Sequence, residues 1–283
     1  SKGVITDGTN TATFGELASA AAKMPVRDTV TLKDPKDFIY IGKSFPRLDQ
    51  KAKVTAAPVF TQDIHLSDML VAVVARPPRF GAKPGSVDAV KAKAVKGVIG
   101  VVTIPGGVAV VASSTWAAIK GRDALQVTWD ETDADKRGTA ELLEEYKALA
   151  AKPGLSVRKD GDAEKAIAGA KTVIDAEFAF PFLAHAPMEP LNAILAFKDG
   201  KATIWSGSQL QTIDQSVAAA ILGIKPEDVA INTQWAGGSF GRRAVYNSDY
   251  VAEVAHIVKA LATDKPIKLV WTREDDIKGG YYR

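Results

Sequence analysis

Short β-branched runs alternate with helical runs twice along this chain, and that alternation limits the folds open to it more than any other feature. The first series is "MLVAVVARPP" (69–78), "SVDAVKAKAV" (86–95), "VIGVVTIP" (98–105), "VAVVAS" (108–113), "STWAAIKGRDA" (114–124) and "LQVTWD" (125–130). The second runs through strands "KTVIDAEFAFPF", "NAILAFKDG" and "KATIWSG", helix "QTIDQSVAAAILG", strand "DVAINTQW", helix "NSDYVAEVAHIVKAL" and strand "PIKLVW". Such alternation predicts an α+β (α/β) architecture with sheets covered by helices. Between the two series lies a charged stretch, "ETDADKRG", and then a helical run with Leu142, Leu143, Tyr146 and Leu149 on one side. The domain junction is expected there. The predicted organisation is an N-terminal helix and extended linker (1–48), a first α/β unit (49–135), a helical connector (136–170) and a second α+β unit (171–283). At the start, "TFGE" (13–16) has the spacing of a capping box and opens an alanine-rich helix. The stretch from Leu32 to Pro58 mixes proline, glycine and lysine without a period, as a segment draped over another surface does.

Composition removes several function classes. With 283 residues, 46% of them hydrophobic, the chain is long enough for two cores. A net charge of +3 from 36 basic and 33 acidic residues gives no basic footprint for nucleic acid or a membrane surface. The absence of cysteine excludes thiolate metal sites, cluster ligation and cysteine nucleophiles within the chain. No apolar run has the length of a transmembrane helix, and neither end reads as a natural terminus, so a piece of a longer polypeptide is expected.

The chemistry concentrates in "WAGGSFGRRAVYNSDY" (235–250). Gly237, Gly238 and Gly241 permit backbone torsions closed to other residues and let amides approach a ligand. A helix begins soon after, and Arg242 and Arg243 carry forks suited to phosphate or carboxylate. Ser239 and Phe240 lie between the glycines, the ring placed for a flat ligand. The alternative is a strand-to-helix turn in which Phe240 plugs the core and both arginines are solvated. In "AHAPMEPLNA" (184–193), His185 and Glu189 stand four apart, but Pro187 and Pro190 forbid a regular helix, so a metal pair is not expected and a hydrogen-bonded turn is the plainer reading. "WSGSQLQTIDQ" (205–215) puts Gln209 near the first turn of a helix, where its amide can reach a ligand, with capping by Ser208 as the alternative.

These stretches, together with "FPRLDQKAKVTAAPVFTQDI", "GVIGVVTIPGGVAVVASSTWAAIKGRDALQVTWD" and "KLVWTREDDI", occur in an order that resembles the large, molybdenum-binding subunit of the xanthine dehydrogenase family. The branch is that of isoquinoline 1-oxidoreductase beta subunits and related bacterial aldehyde dehydrogenases. The resemblance implies an α/β hammerhead domain followed by the first, incomplete part of a molybdopterin-binding domain. It implies a molybdenum-molybdopterin cytosine dinucleotide, 2Fe-2S clusters on an iron–sulfur small subunit, and in some relatives a cytochrome c acceptor and a periplasmic location. The activity implied is hydroxylation of an N-heterocycle or aldehyde with oxygen from water.

Carried over by residue, Gln209 matches the glutamine that hydrogen-bonds a molybdenum oxo group. Phe240 and Gly241 match the loop beside the metal, with Gly237, Gly238, Ser239, Arg242 and Arg243 as further cofactor contacts and His185 and Glu189 on the substrate side. The "SGSQ" and "GGSFG" turns both follow strand-like runs and precede helices, so a shared sheet edge is expected to bring Gln209 and Phe240 together across a cleft. No residue is expected to ligate the metal directly. The family's catalytic glutamate lies in a Gly-x-Gly-Glu context that this sequence does not contain. That base is expected downstream of Arg283, and no catalytic residue is expected within the chain. Arg242 and Arg243 stand where purine-oxidising relatives have lysine and glutamate, which argues against a purine substrate. The competing reading is a non-catalytic binding or scaffold module.

Overall fold

The computed structural model describes residues 3–282, which divide into two compact units, one ending at Ala57 and one beginning at Pro58. In the first, β1 (Val4–Thr6) and β2 (Thr11–Thr13) form an antiparallel hairpin. The Asp7 carboxylate closes its turn by accepting from the Thr9 and Asn10 amides at 2.9 and 2.7 Å. The expected capping box opens α1 (Phe14–Ala21): the Glu16 amide donates to Thr13 Oγ1 at 3.2 Å and the Thr13 amide donates to the Glu16 carboxylate at 2.7 Å. A short α2 (Gln50–Val54) groups with the residues before it, so this unit runs to Ala57 and not to the boundary expected at 48. None of its described residues is buried, and local hydrogen bonds, not a core, define its shape.

The second unit contains, in order, β3 (Leu70–Ala75), β4 (Lys83–Asp88), α3 (Val90–Lys93), β5 (Val98–Ile104), β6 (Gly107–Ala112), α4 (Thr115–Asp123), β7 (Gln126–Asp130), α5 (Thr139–Ala150), α6 (Ala163–Ala168), β8 (Asn192–Lys198), β9 (Lys201–Ser206), α7 (Gln211–Leu222), β10 (Val229–Thr233), α8 (Asp249–Leu261), β11 (Ile267–Val270) and α9 (Arg273–Lys278). Strands β4 and β7 form a separate ribbon, and the other strands make one sheet in the order β10-β9-β8-β11-β3-β6-β5. The expected α+β class holds. The expected junction, however, does not separate two sheets. Strands from before it (β3, β5, β6) and after it (β8 to β11) share one sheet, joined where β11 lies parallel to β3. The charged stretch is a surface crossover, and the core continues beneath the change in composition.

Continuous apolar runs such as "LVAVVA" in β3 and "GVAVVA" in β6 are buried because helices cover both faces of the sheet. Strand periodicity sends Ala72 and Val74 to one face and Val73 to the other. On the first face lies α8, whose Val251, Val254, Ala255 and Val258 follow helical spacing and are buried against Ala193, Leu195, Ile204 and Leu269, with α7 beside it. On the second lies α4, through Ala117 and Ala118.

The strand expected over 171–182 does not form. The sheet ends at β10 and β5, neither of which pairs with this segment, and Val173, Ile174, Phe178, Phe180 and Phe182 are exposed. An alternating apolar run becomes a strand only beside a strand partner and under cover, and none of the described residues supplies them. The helix expected around Leu142 to Leu149 does form, as α5, but buries none of its residues.

Candidate functional site

β9 and β10 run parallel, with Trp205 opposite Asn232 and Ser206 opposite Thr233, so both chains leave the sheet at the same edge. Each then turns into a helix, α7 or α8. Crevices outside the carboxyl ends of such strands are where open α/β sheets place ligands. The turn after β9 carries Ser208 and Gln209, and the loop after β10 carries Gly237 to Arg243. The two meet as expected: Ser239 Oγ donates to Gln209 Oε1, and the Gln209 amide donates to the Arg243 carbonyl at 3.4 Å. Ser208 Oγ accepts from the Leu210 amide at 3.1 Å and donates to Asp214 in the first turn of α7. Burial pushes the Asp214 carboxyl above its ordinary value of 3.8, against the hydrogen bond from Ser208.

Successive turns build the loop. The Arg242 amide donates to the Ser239 carbonyl at 3.0 Å, the Ala244 amide to the Gly241 carbonyl at 3.0 Å, and the Arg243 amide to Ser239 Oγ at 3.2 Å. Phe240 sits in the left-handed region at φ 57°, which is unfavourable for a side chain of its size, and its ring is 62% exposed, so it does not plug the core. Gly241, at φ 95°, has nothing within 4 Å of the place a Cβ would occupy. Gly237 is needed for another reason. A Cβ there would lie 2.5 Å from Glu189 Cβ, so this glycine and Gly238 serve the close packing of the 187–189 turn and not an approach to ligand.

Both arginines depart from expectation, being neither solvated nor turned to a ligand. Arg242, 2% exposed, donates to both Asp249 oxygens at 3.2 and 2.6 Å and lies 5.3 Å from the rings of Trp271 and Tyr281. Arg243, 1% exposed, donates to the Gly238 carbonyl at 3.3 Å, the Glu189 carbonyl at 3.0 Å and Glu189 Oε2 at 3.3 Å. A charge so deep must be paired within the protein, and each has its own carboxylate.

The buried Glu189 carboxylate faces the loop, accepting from the Gly237 amide at 2.8 Å as well as from Arg243. His185 is near enough to Asp276 in α9 to oppose the rise that burial imposes on that carboxyl. Arg273 joins this side by donating to Asp276 at 2.7 Å and to the carbonyls of Pro187 and Met188. Arg283, the residue beyond which the family's catalytic glutamate is expected, lies outside the described residues, so the structure carries no geometry for that base. Sequence reasoning missed Gln62, Asn192, Asp249, Arg273 and Asp276. Asp249 alone carried a local signal, as an acid at the start of the predicted helix α8. A cleft of about 780 Å³ lined by Arg76, Arg79, Phe80, Arg122, Trp129 and Tyr282 includes none of the expected site residues.

Residues 148–283 match the model of the molybdopterin cofactor-binding domain. Over 93% of its length the chain is 33% identical to the beta subunit of isoquinoline 1-oxidoreductase from Brevundimonas diminuta, covering 35% of that protein. The chain thus carries a molybdopterin cofactor-binding region and is similar to molybdenum-binding subunits of the xanthine dehydrogenase family. Another relative, the membrane-bound aldehyde dehydrogenase [pyrroloquinoline-quinone] of Gluconacetobacter polyoxogenes, is 33% identical over 93% of the chain and 34% of its own length. The chain thus spans about a third of the length of these two relatives. The same fold is seen in solved structures too. Aldehyde oxidoreductase from Desulfovibrio gigas superposes with a TM-score of 0.66 at 20% identity, over 86% of this chain and 31% of that one. Quinoline 2-oxidoreductase from Pseudomonas putida 86 gives 0.64 at 20% identity, over 83% and 35%.

Proposed function

We propose that the full-length polypeptide is a molybdenum hydroxylase that oxidises an N-heterocycle or an aldehyde with oxygen from water, and that this chain forms one wall of its cofactor site. The observation that carries the reading is the junction of the Gln209 turn with the Ser239–Gly241 turn at the carboxyl ends of β9 and β10. These turns fit a flat, oxygen-rich anion. Gly241 is open where a side chain would stand, the Phe240 ring is presented outward, and the Gly241 amide has no acceptor among the described residues.

Gln209, Ser239, Phe240 and Gly241 would hold molybdopterin, in its cytosine dinucleotide form. Arg242 and Arg243 hold the loop and do not touch the group. When bound, the group supplies the two-electron redox centre. This chain's part is to orient it with amide and side-chain donors and to shield one face with Phe240. Electrons would pass to a 2Fe-2S subunit, a view supported by the naming of the relative from Brevundimonas diminuta as a beta subunit.

The test is to purify the full-length polypeptide with its partner and measure molybdenum and substrate oxidation. Equimolar molybdenum is expected, lowered in Gln209→Ala and Gly241→Val. A protein that carries no molybdenum, or one whose content ignores both substitutions, overturns the reading.

A further inference from the structure

We propose that Glu189 is a positioning residue: its carboxylate sets the conformation of residues 236–243 and, through them, the direction in which Gln209 and the Gly241 turn face. The proposal rests on the reading of this loop as a cofactor contact and adds the residue that fixes it.

Four donors from three parts of the chain converge on this carboxylate. Oε1 accepts from the Gln62 amide at 3.3 Å and from Asn192 Nδ2 at 3.0 Å. Oε2 accepts from the Gly237 amide at 2.8 Å and from Arg243 Nη2 at 3.3 Å. With two donors on each oxygen, the acceptor capacity of a carboxylate is filled. The donors are themselves held. The Gln62 carbonyl accepts from Lys268 Nζ, on the central strand β11, at 2.8 Å, which anchors the residue whose amide faces Glu189. Asn192 Nδ2 also donates to the Pro190 carbonyl at 2.8 Å. The Glu189 amide returns a bond to the Gly237 carbonyl at 3.0 Å, so residues 189 and 237 are clasped by main chain and side chain together.

From Gly237 the effect passes along the loop to its neighbours. Arg243, held by Glu189, donates to the Gly238 carbonyl, and its own amide is fixed by Ser239 Oγ, the hydroxyl that donates to Gln209. Glu189 therefore touches none of the residues proposed to hold the cofactor, yet lies two hydrogen bonds behind Ser239 and Gln209, both reached through Arg243.

Because the carboxylate meets only donors, glutamine does not mimic it. An amide NH₂ in the place of either oxygen opposes two donors. Of the four, only Asn192 can turn over, since its Oδ1 has no partner, and doing so forfeits the bond to Pro190 and leaves the Gln62 amide still opposed. A structural glutamate at a protein surface tolerates this change; Glu189 is predicted not to.

The experiment compares Glu189→Gln with Val254→Ala, a destabilised control in the α8 core, in the full-length polypeptide prepared with and without molybdopterin. In the cofactor-free protein, hydrogen exchange of amides 236–243 is expected to quicken by about tenfold or more in Glu189→Gln beyond the change in the control. Loop exchange no faster than in the control overturns the proposal. Molybdenum content is read separately. A loosened loop with full molybdenum retention leaves the positioning role intact and overturns the cofactor reading instead. If Glu189→Gln does not accumulate as folded protein, Arg243→Lys, which keeps the charge and loses the fork, is read in the same way and is expected to give a smaller change in the same direction.

Discussion

Asp7 and Asp214 both accept hydrogen bonds beside a turn, and their surroundings move them in opposite directions. Asp7, exposed in the hairpin of the first unit, is lowered from 3.8 to about 2 by hydrogen bonds from the Asn10 backbone, its side chain and the Thr9 backbone. Asp214, buried behind the Gln209 turn, is raised by loss of hydration although Ser208 favours its anion. Where water remains, each donor adds to the stability of the charge; where water is gone, one hydroxyl does not replace it. Ion pairs divide the same way. Arg158 and Asp160 pair with side chains 84% and 69% exposed, whereas Arg243 and Glu189 pair at 0% and 8%. The first is an ornament of the surface; the second is a constraint on a loop.

The contrast is broken most directly at Arg243. Arg243→Ala strands a buried carboxylate, and removal of one partner of such a pair costs about 3–5 kcal/mol, which urea unfolding will show as a lower midpoint. Asp214→Asn has a smaller effect whose sign depends on pH. In the wild type the folded state holds the Asp214 proton to higher pH than the unfolded chain, so this group's contribution is full below 3.8 and is lost as pH rises through the raised folded value. The asparagine variant lacks that loss and should gain on the wild type as pH rises above 3.8, as measured by unfolding free energy across a pH series. Phe240→Gly relieves a left-handed backbone conformation that disfavours non-glycine residues by ~1–2 kcal/mol, less what glycine adds to unfolded-chain entropy. The expected result is a small rise in thermal midpoint together with a fall in molybdenum content, so stability and cofactor retention move apart. Smallest of all, Arg158→Ala should leave the urea midpoint unchanged, because exposed pairs are screened and hold their side chains at an entropic cost.

Local features of this fold were legible in the sequence. The capping box at Thr13 and Glu16 is a contact within four residues, and the strands β3, β6, β8 and β9 announce themselves by β-branched runs. Two loops that follow strands and precede helices were expected to meet at a sheet edge, and Ser239 does meet Gln209. What was not legible is long-range. No local pattern says that β11 pairs with β3, or that Arg243 reaches Glu189 from 54 residues away. "GGSFGRR" allows an anion cradle or an internally paired loop; in the structure the arginines are paired within the protein, while Phe240 and Gly241 face outward. The failure at 171–182 has the same root, since alternation shows that a segment is able to be a strand and not that a neighbour stands beside it.

β11 has a consequence for the order of assembly. It is four residues long, follows the other strands of this sheet in sequence, and lies between β3, made almost two hundred residues earlier, and β8. Until it arrives, two incomplete half-sheets each present an unsatisfied edge, the condition under which nascent chains associate wrongly with one another. Its insertion joins contacts of high sequence separation, which slows folding. A nascent chain halted before Ile267 would hold most of the apolar residues of the core without the strand that makes them one sheet.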